Sequence, residues 1–215
     1  MKIKKISGKF VTINLVPGEK VYGEELIRQD NVEHRVWDHY RSKPAAALKK
    51  GLKKLPIEKG MKILYLGIAS GTTSSHFSDI VDSEGMIYGV EISERVLREL
   101  IPVAEKRGNI IPILADARKP EDYENQILEK VDLVYEDVAS PDQIEILIRN
   151  CEKFLKPKGF AMIAIKSQSI DVTKDPKEIY KEALAKLKKH FEILDKVELD
   201  PYEKFHLFVV LQKLT

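Results

Sequence analysis

The run Tyr65-Leu66-Gly67-Ile68-Ala69-Ser70-Gly71-Thr72-Thr73 decides the fold. Ahead of it, Lys62–Gly67 is an apolar stretch of strand length, and behind it Thr72–Val81 has helical spacing. A strand that enters a helix through a turn of small residues leaves backbone N–H groups free at the helix start, where a ligand lies close to the main chain. An ordinary tight strand-to-helix turn has the same residues. The turn lacks the third glycine of dinucleotide spacing and any Gly-Lys-Ser/Thr, so pyrophosphate and triphosphate cradles fit poorly. A ligand without phosphates fits better.

Working outward, strands Met86–Glu91, Ile110–Ala115, Leu133–Asp137 and Phe160–Lys166 alternate with helices Glu94–Lys106, Pro141–Leu155 and Pro176–His190. That alternation predicts an α/β, Rossmann-like fold with a mostly parallel sheet covered on both faces. Ser140-Pro141-Asp142-Gln143 and Asp175-Pro176-Lys177-Glu178 each supply a cap, a first-turn proline and a reciprocal acceptor three residues on. Glu192–Leu199, a turn at Pro201 and Leu207–Gln212 predict an antiparallel last strand closing one edge. Toward the N-terminus, Phe10–Val16 and Val21-Tyr22, broken by Pro17-Gly18, predict small hairpins. Pro44 opens a linker helix through Ala45, Ala46, Leu48, Leu52 and Leu55, with Lys49, Lys50, Lys53 and Lys54 on its other face. Residues 1–55 thus read as a small β lobe with a linker helix, and 56–215 as the α/β domain.

The 215 residues hold 36 Lys+Arg against 34 Asp+Glu, but the charges are unevenly spread. Residues 1–60 carry 14 basic and 7 acidic side chains and residues 61–215 carry 22 and 27, an asymmetry that points the N-terminal end at a polyanion. No apolar stretch approaches a membrane span and no signal-peptide core follows the N-terminal lysines, so an intracellular, cytoplasmic protein without a membrane is expected. The single cysteine, Cys151, excludes an internal disulfide and a multi-cysteine metal site.

The chemistry gathers at strand ends. Glu91 closes the second strand of the α/β domain 20 residues after Gly71, where a carboxylate accepts both hydrogen bonds of a ribose diol. Asp116-Ala117 follows the third strand and Asp137 ends the fourth. Three carboxylates over the crevice at the strand C-termini point to S-adenosylmethionine, whereas solvated surface acids would scatter along helices. Asp137 and Lys166 end adjacent predicted strands and can meet over the same pocket. A ribose 2′-hydroxyl is a poor nucleophile, so attack on a sulfonium methyl is helped by a base or by a cation at the developing alkoxide. A structural ion pair between the two would look the same in sequence. His206 reads equally as a rim histidine, and Lys43 as a solvated lysine at a helix start. No Asn/Asp-Pro-Pro-aromatic motif is present for an amine acceptor, no cysteine ends a strand for attack on a base, and no Gly-x-Ser-x-Gly elbow or metal-ligand cluster appears.

Leu64–His76, together with Tyr135-Glu136-Asp137-Val138-Ala139 and Ile165–Thr173, resembles the fibrillarin family, in its archaeal form. The likeness runs from Val21-Tyr22-Gly23-Glu24 and Arg35-Val36-Trp37-Asp38 to Glu203-Lys204-Phe205-His206. It implies an S-adenosylmethionine-dependent methyltransferase fold and guide-directed ribose 2′-O-methylation of rRNA and tRNA. Cofactor contacts would fall in the Gly67, Ala69, Gly71 turn and on Thr72, Thr73, Glu91, Ile92, Asp116, Ala117, Asp137, Val138, Ala139 and Ser140, the last standing where the family usually has Gln. The family's catalytic set would map to Lys43, Asp137, Lys166 and His206, without a metal. The implied setting is a box C/D ribonucleoprotein with guide RNA, substrate rRNA or tRNA, a Nop-type scaffold protein and a kink-turn-binding ribosomal-type protein.

That division of labour agrees with the residues. The sequence shows no aromatic-rich base-stacking platform, and a site that reads ribose and backbone cannot choose a nucleotide. Two rivals remain from sequence: a stand-alone methyltransferase of a small molecule or protein, which has no need of the N-terminal lobe, and a non-catalytic RNA-assembly subunit.

Overall fold

Two tight turns build the N-terminal sheet. Ser7-Gly8 and Asp30-Asn31 all have positive φ (49°, 79°, 51° and 60°), the backbone that two-residue hairpin turns favour. In the computed structural model, which describes residues 3–214, they join β1 (Ile3–Ile6) to β2 (Lys9–Ile13) and β3 (Leu26–Gln29) to β4 (Val32–Val36). The strands lie antiparallel in the order β1-β2-β4-β3. This corrects the expected hairpin. Val21 and Tyr22 are not in a strand, because their N–H groups are turned onto the Glu24 carboxylate (2.9–3.1 Å).

The linker helix is shorter than its apolar spacing predicts. Helix α1 covers Lys43–Lys49 only, with Pro44 in its first turn. Gly51, at φ 97°, ends it: Gly51 N bonds Leu48 O (3.2 Å) and Leu52 N bonds Ala47 O (2.9 Å), the paired bonds of a glycine C-terminal cap. Leu52 and Leu55 therefore continue the apolar face from a loop.

The larger sheet has the order β10-β11-β9-β8-β5-β6-β7. Strands β5 (Lys62–Leu66), β6 (Met86–Glu91), β7 (Ile110–Leu114), β8 (Val131–Glu136) and β9 (Leu155–Lys166) are parallel, and β11 (His206–Lys213) runs antiparallel between β9 and β10 (Phe191–Glu198). Helices α2 (Thr72–Val81), α3 (Glu94–Arg107), α4 (Gln143–Phe154) and α6 (Pro176–Leu187) cover it, with a one-turn helix α5 (Ser167–Ile170) after β9. Alternation along the strands feeds two apolar layers. Leu64, Leu66, Val134 and Ile163 face one, and Ile63, Tyr65, Tyr135 and Met162 face the other. Ile3, Trp37 and Ala45–Ala47 belong to that second layer, so the small sheet and α1 share a core with the large sheet. Residues 1, 2 and 215, which the expected lobe and domain boundaries include, lie outside the described residues.

A buried charge cluster also ties the lobe down. Arg35, fully buried on β4, bonds Glu24 (2.6 Å), Asp79 (2.9 Å) and Ser75 (2.8 Å), and Arg107 pairs with the same Asp79. His76 stacks on Trp37 (ring centroids 5.0 Å apart) and bonds Thr12 (2.8 Å) and Tyr22 (2.7 Å) through its two ring nitrogens. Burial and the two guanidinium groups hold its pKa well below the ordinary value, so it is neutral.

Two local expectations also need correction. Helix α4 starts at Gln143 rather than Pro141, and Leu155 and the residues after it continue as β9. Ser140 Oγ accepts from Asp142 N (3.3 Å), but the Gln143 amide does not return to the Ser140 N–H. Asp175 caps α6 as expected, accepting from Lys177 N (2.8 Å).

Candidate active site

The cavity opens where the chain order reverses, beside β5, whose neighbours are β6 and β8. It has a volume of about 470 Å³ and lies over the C-terminal ends of β5 to β8. Its floor is the turn after β5. Gly67 has φ 75°, and a Cβ there would lie 3.2 Å from the Asp137 carbonyl, so only glycine lets these backbones approach. Ala69, also at positive φ, donates its N–H to Glu91 Oε2 (3.1 Å), while Ser93 N bonds Oε1 (2.9 Å). Both oxygens are thereby fixed, and each keeps a lone pair for a hydroxyl.

The remaining walls come from the ends of β6, β7 and β8. Ile92, 63 % exposed, forms one rim. Asp116 and Ala117 form the next wall, where the Arg118 guanidinium beside Asp116 holds its carboxyl below the usual range. Asp137, Val138, Ala139 and Ser140 complete it. Three carboxylates line the cavity, and its single guanidinium is spent on one of them. That donor set suits a hydroxyl-rich ligand that is neutral or cationic, and it repels phosphate. The glycine-tight floor, the two fixed Glu91 oxygens and the acidic walls fit S-adenosylmethionine.

Not all of the expected contacts reach this space. Gly71 caps α2 at φ 105°, and neither it nor Thr72 or Thr73 lines the cavity. Thr73 is buried with its hydroxyl 2.9 Å from Ser42 Oγ, which also accepts from Trp37 Nε1 (2.8 Å). Its visible task is to seat α1 against α2.

The four expected catalytic residues do converge. Lys43 Nζ lies 3.1 Å from Asp137 Oδ1 and donates to Oδ2 (3.1 Å). Lys166 Nζ lies 2.8 Å from Oδ1 and donates its aligned hydrogen bond to the Asp137 carbonyl (2.7 Å). The Lys43 side chain is only 17 % exposed, so it is not the solvated lysine that a helix start suggests. His206 stands directly opposite Lys166 in the β9–β11 register. Its Nδ1 donates to Lys204 O (2.7 Å), which leaves Nε2 as an acceptor. Burial lowers its pKa despite that bond, with Lys43 and Lys166 adding to the effect, so the ring is neutral at pH 7.

Two supporting residues escaped the sequence reading. Gln143, fully buried, accepts from Lys166 N (2.9 Å) and donates to Lys166 O (3.3 Å) and Ser140 O (3.0 Å), clamping the lysine's backbone to the cavity wall. The sequence offers it only as the reciprocal acceptor of the Ser140 cap, and its signal is a polar residue at the start of a largely apolar helix face. Glu136 is buried with neither carboxylate oxygen hydrogen-bonded among the described residues, and burial pushes its carboxyl well above the ordinary value. No helix among the described residues is long and apolar enough to cross a membrane.

Known proteins are similar to this chain in sequence and fold. Residues 1–214 match the family model described as Fibrillarin. The fibrillarin-like rRNA/tRNA 2′-O-methyltransferase of Pyrococcus furiosus is 54 % identical over 207 residues, which cover 96 % of this chain and 91 % of that one. The structure of Aeropyrum pernix fibrillarin with natively bound S-adenosyl-L-methionine is similar at TM-score 0.87 and 50 % identity, covering 94 % of this chain and 88 % of that one. A fibrillarin/Nop5p complex contains a chain similar at TM-score 0.91 and 40 % identity, covering 99 % and 97 %.

Proposed function

The chain belongs to the fibrillarin family, and from that premise we propose that it is the catalytic subunit of a box C/D ribonucleoprotein, methylating the ribose 2′-oxygen of rRNA and tRNA at positions a guide RNA selects. The observation that carries this reading is the Asp137 carboxylate with an ammonium group on either side at the edge of a nucleoside-sized cavity.

S-adenosylmethionine supplies the methyl group as a sulfonium substituent. Glu91, with both oxygens fixed and facing the cavity, would hold its ribose hydroxyls, and Asp116 with the apolar Ala117 would border the adenosine. The chain's own residues then manage the acceptor. Two ammonium groups on one carboxylate leave a net positive charge beside the cavity, which draws in a phosphate-bearing strand and stabilises a 2′-oxygen as it loses its proton. Asp137 keeps the two lysines in place. His206, neutral and with Nε2 unprotonated, is the group we assign to receive the proton.

A Nop-type scaffold protein is the partner that the likeness to the fibrillarin/Nop5p complex supports. Guide RNA, substrate RNA and a kink-turn-binding ribosomal-type protein complete the particle we propose. A site built around ribose and charge has no means of choosing a sequence, so the choice falls to the guide. Reconstitution with these components and mapping of the modified nucleotide tests the reading. Ribose methylation at the guide-paired position is expected, with feeble activity from the chain alone. A base-methylated product, or efficient site-specific turnover without the guide, would contradict it.

A further inference from the structure

The mouth of the site carries rings as well as charges. The segment 38–41 leads into Lys43, and the loop between β10 and β11 ends at His206. These two segments meet through His39, Tyr40 and Tyr202. Ring centroids are 4.6 Å apart for His39–Tyr40, 4.7 Å for His39–Tyr202 and 5.4 Å for Tyr40–Tyr202, the last two edge-to-face. Tyr40 is 65 % exposed even so. The backbone beneath it is fixed, with Tyr40 N on Asp38 Oδ1 (2.8 Å) and Arg41 N on Asp38 O (3.2 Å).

Phe205 adds a second exposed ring next to His206. It is 51 % exposed and has φ 62°, a region costly for a bulky side chain. Its carbonyl accepts from Ser167 N and from Ser167 Oγ, each at 3.1 Å, so the strained backbone is held in place. Rings kept in water on fixed backbone, one of it strained, are features of binding surfaces. Arg41 and Lys204, both exposed, adjoin Tyr40 and Phe205 in the chain, and the Arg41 guanidinium lies 5.6 Å from the Tyr22 ring centroid.

We propose that Tyr40, Tyr202 and Phe205 form a nucleobase seat at the mouth of the active site, on which a base of the RNA substrate at or next to the target nucleotide stacks while Arg41 and Lys204 meet the adjoining phosphates. The proposal rests on the ribose-methylation reading. Any strand that brings a sugar oxygen between Lys43 and His206 must pass over the two loops leading into those residues, so the occupant is the substrate itself. Stacking is sequence-tolerant, as required of a seat that must accept whichever nucleotide the guide presents. The rings come from opposite ends of the chain and only the fold assembles them.

The test uses the reconstituted guided particle, measuring single-turnover methylation against substrate RNA concentration. Wild type, Tyr40→Phe, Tyr40→Leu and Phe205→Ser are compared on intact RNA and on RNAs with an abasic residue at the target or at either neighbour. Tyr40→Leu is expected to weaken substrate use about tenfold with S-adenosylmethionine binding unchanged, and Tyr40→Phe to stay near wild type. On one abasic RNA the Tyr40→Leu loss should shrink to about twofold or less, because the stacking partner is already missing. An unaffected Tyr40→Leu particle would overturn the proposal. So would an equal loss on every RNA accompanied by weaker scaffold binding, which would mark a protein-docking surface. In each case, the wild-type product, ribose-methylated or not, judges the enzymatic reading separately.

Discussion

Asp137 touches two ammonium groups while forming a wall of the cofactor cavity, so single changes around it separate chemistry from binding. Lys166→Ala and Asp137→Ala should each cut single-turnover methyl transfer by about a hundredfold or more, with particle assembly retained in both and S-adenosylmethionine affinity retained in Lys166→Ala, since Lys166 does not line the cavity. Unchanged transfer would reject the assigned roles. Gln143 acts one step back, through the Lys166 backbone. Gln143→Leu should cost about 1–3 kcal/mol in thermal unfolding and lower kcat with little change in KM for RNA. A KM effect alone would show that it does not position the lysine. At this scale the sequence was informative wherever a charged residue ended a strand, because topology alone sends Glu91, Asp116, Asp137 and Lys166 to one crevice. Lys43 and His206 come from outside the parallel strands, and only the family resemblance singled them out. Gln143 and Glu136 were hidden because their tasks are set by three-dimensional neighbours.

Among the elements, the parallel strands and their helices were legible from pattern, since the strands are short apolar runs and α3, α4 and α6 place most of their apolar residues at helical spacing. The misreadings lie where local bonds override the apolar pattern. Gly51 stops α1 although Leu52 and Leu55 extend its spacing, and the Glu24 carboxylate bends Val21-Tyr22 out of a strand. The turn after β5 is where backbone geometry bears most directly on the site. Gly67→Ala forces a side chain into the left-handed region and brings its Cβ to about 3.2 Å from Asp137 O. Impaired cofactor binding together with lowered stability is expected, and calorimetric titration of the variant with S-adenosylmethionine checks it. The lobe is held by charges that strand patterning does not reveal. Burial alone would raise the Glu24 pKa, but Arg35 and the N–H groups of Tyr22 and Val21 outweigh it and keep the carboxyl below its ordinary value. Arg35→Met would leave Glu24 and Asp79 without that partner in the interior and should destabilise the chain by about 3–5 kcal/mol, read as a drop in Tm.

For the whole molecule, one buried group gives stability a pH dependence opposite to that of the paired carboxylates. The folded-state pKa of Glu136 is raised, so its contribution is fully present below the ordinary carboxylate value near 4.5 and is lost as pH rises through the folded-state value. Glu136→Gln does not titrate, and its Tm should gain on wild type as pH increases from 4.5 upward; a constant difference would show that the carboxyl is not held neutral. The joining of two sheets in one core also explains why the N-terminal end reads as a lobe in sequence yet supplies Lys43 to the site: α1 is packed against α2 by Ser42 and Thr73, and its first residue reaches Asp137. The account turns on the sugar oxygen as the methyl acceptor. Guided methylation of a substrate RNA and of the same RNA carrying a single 2′-deoxy residue at the paired position measures this directly. Complete loss of methyl incorporation on the deoxy substrate is predicted, and incorporation at the wild-type level would contradict the reading.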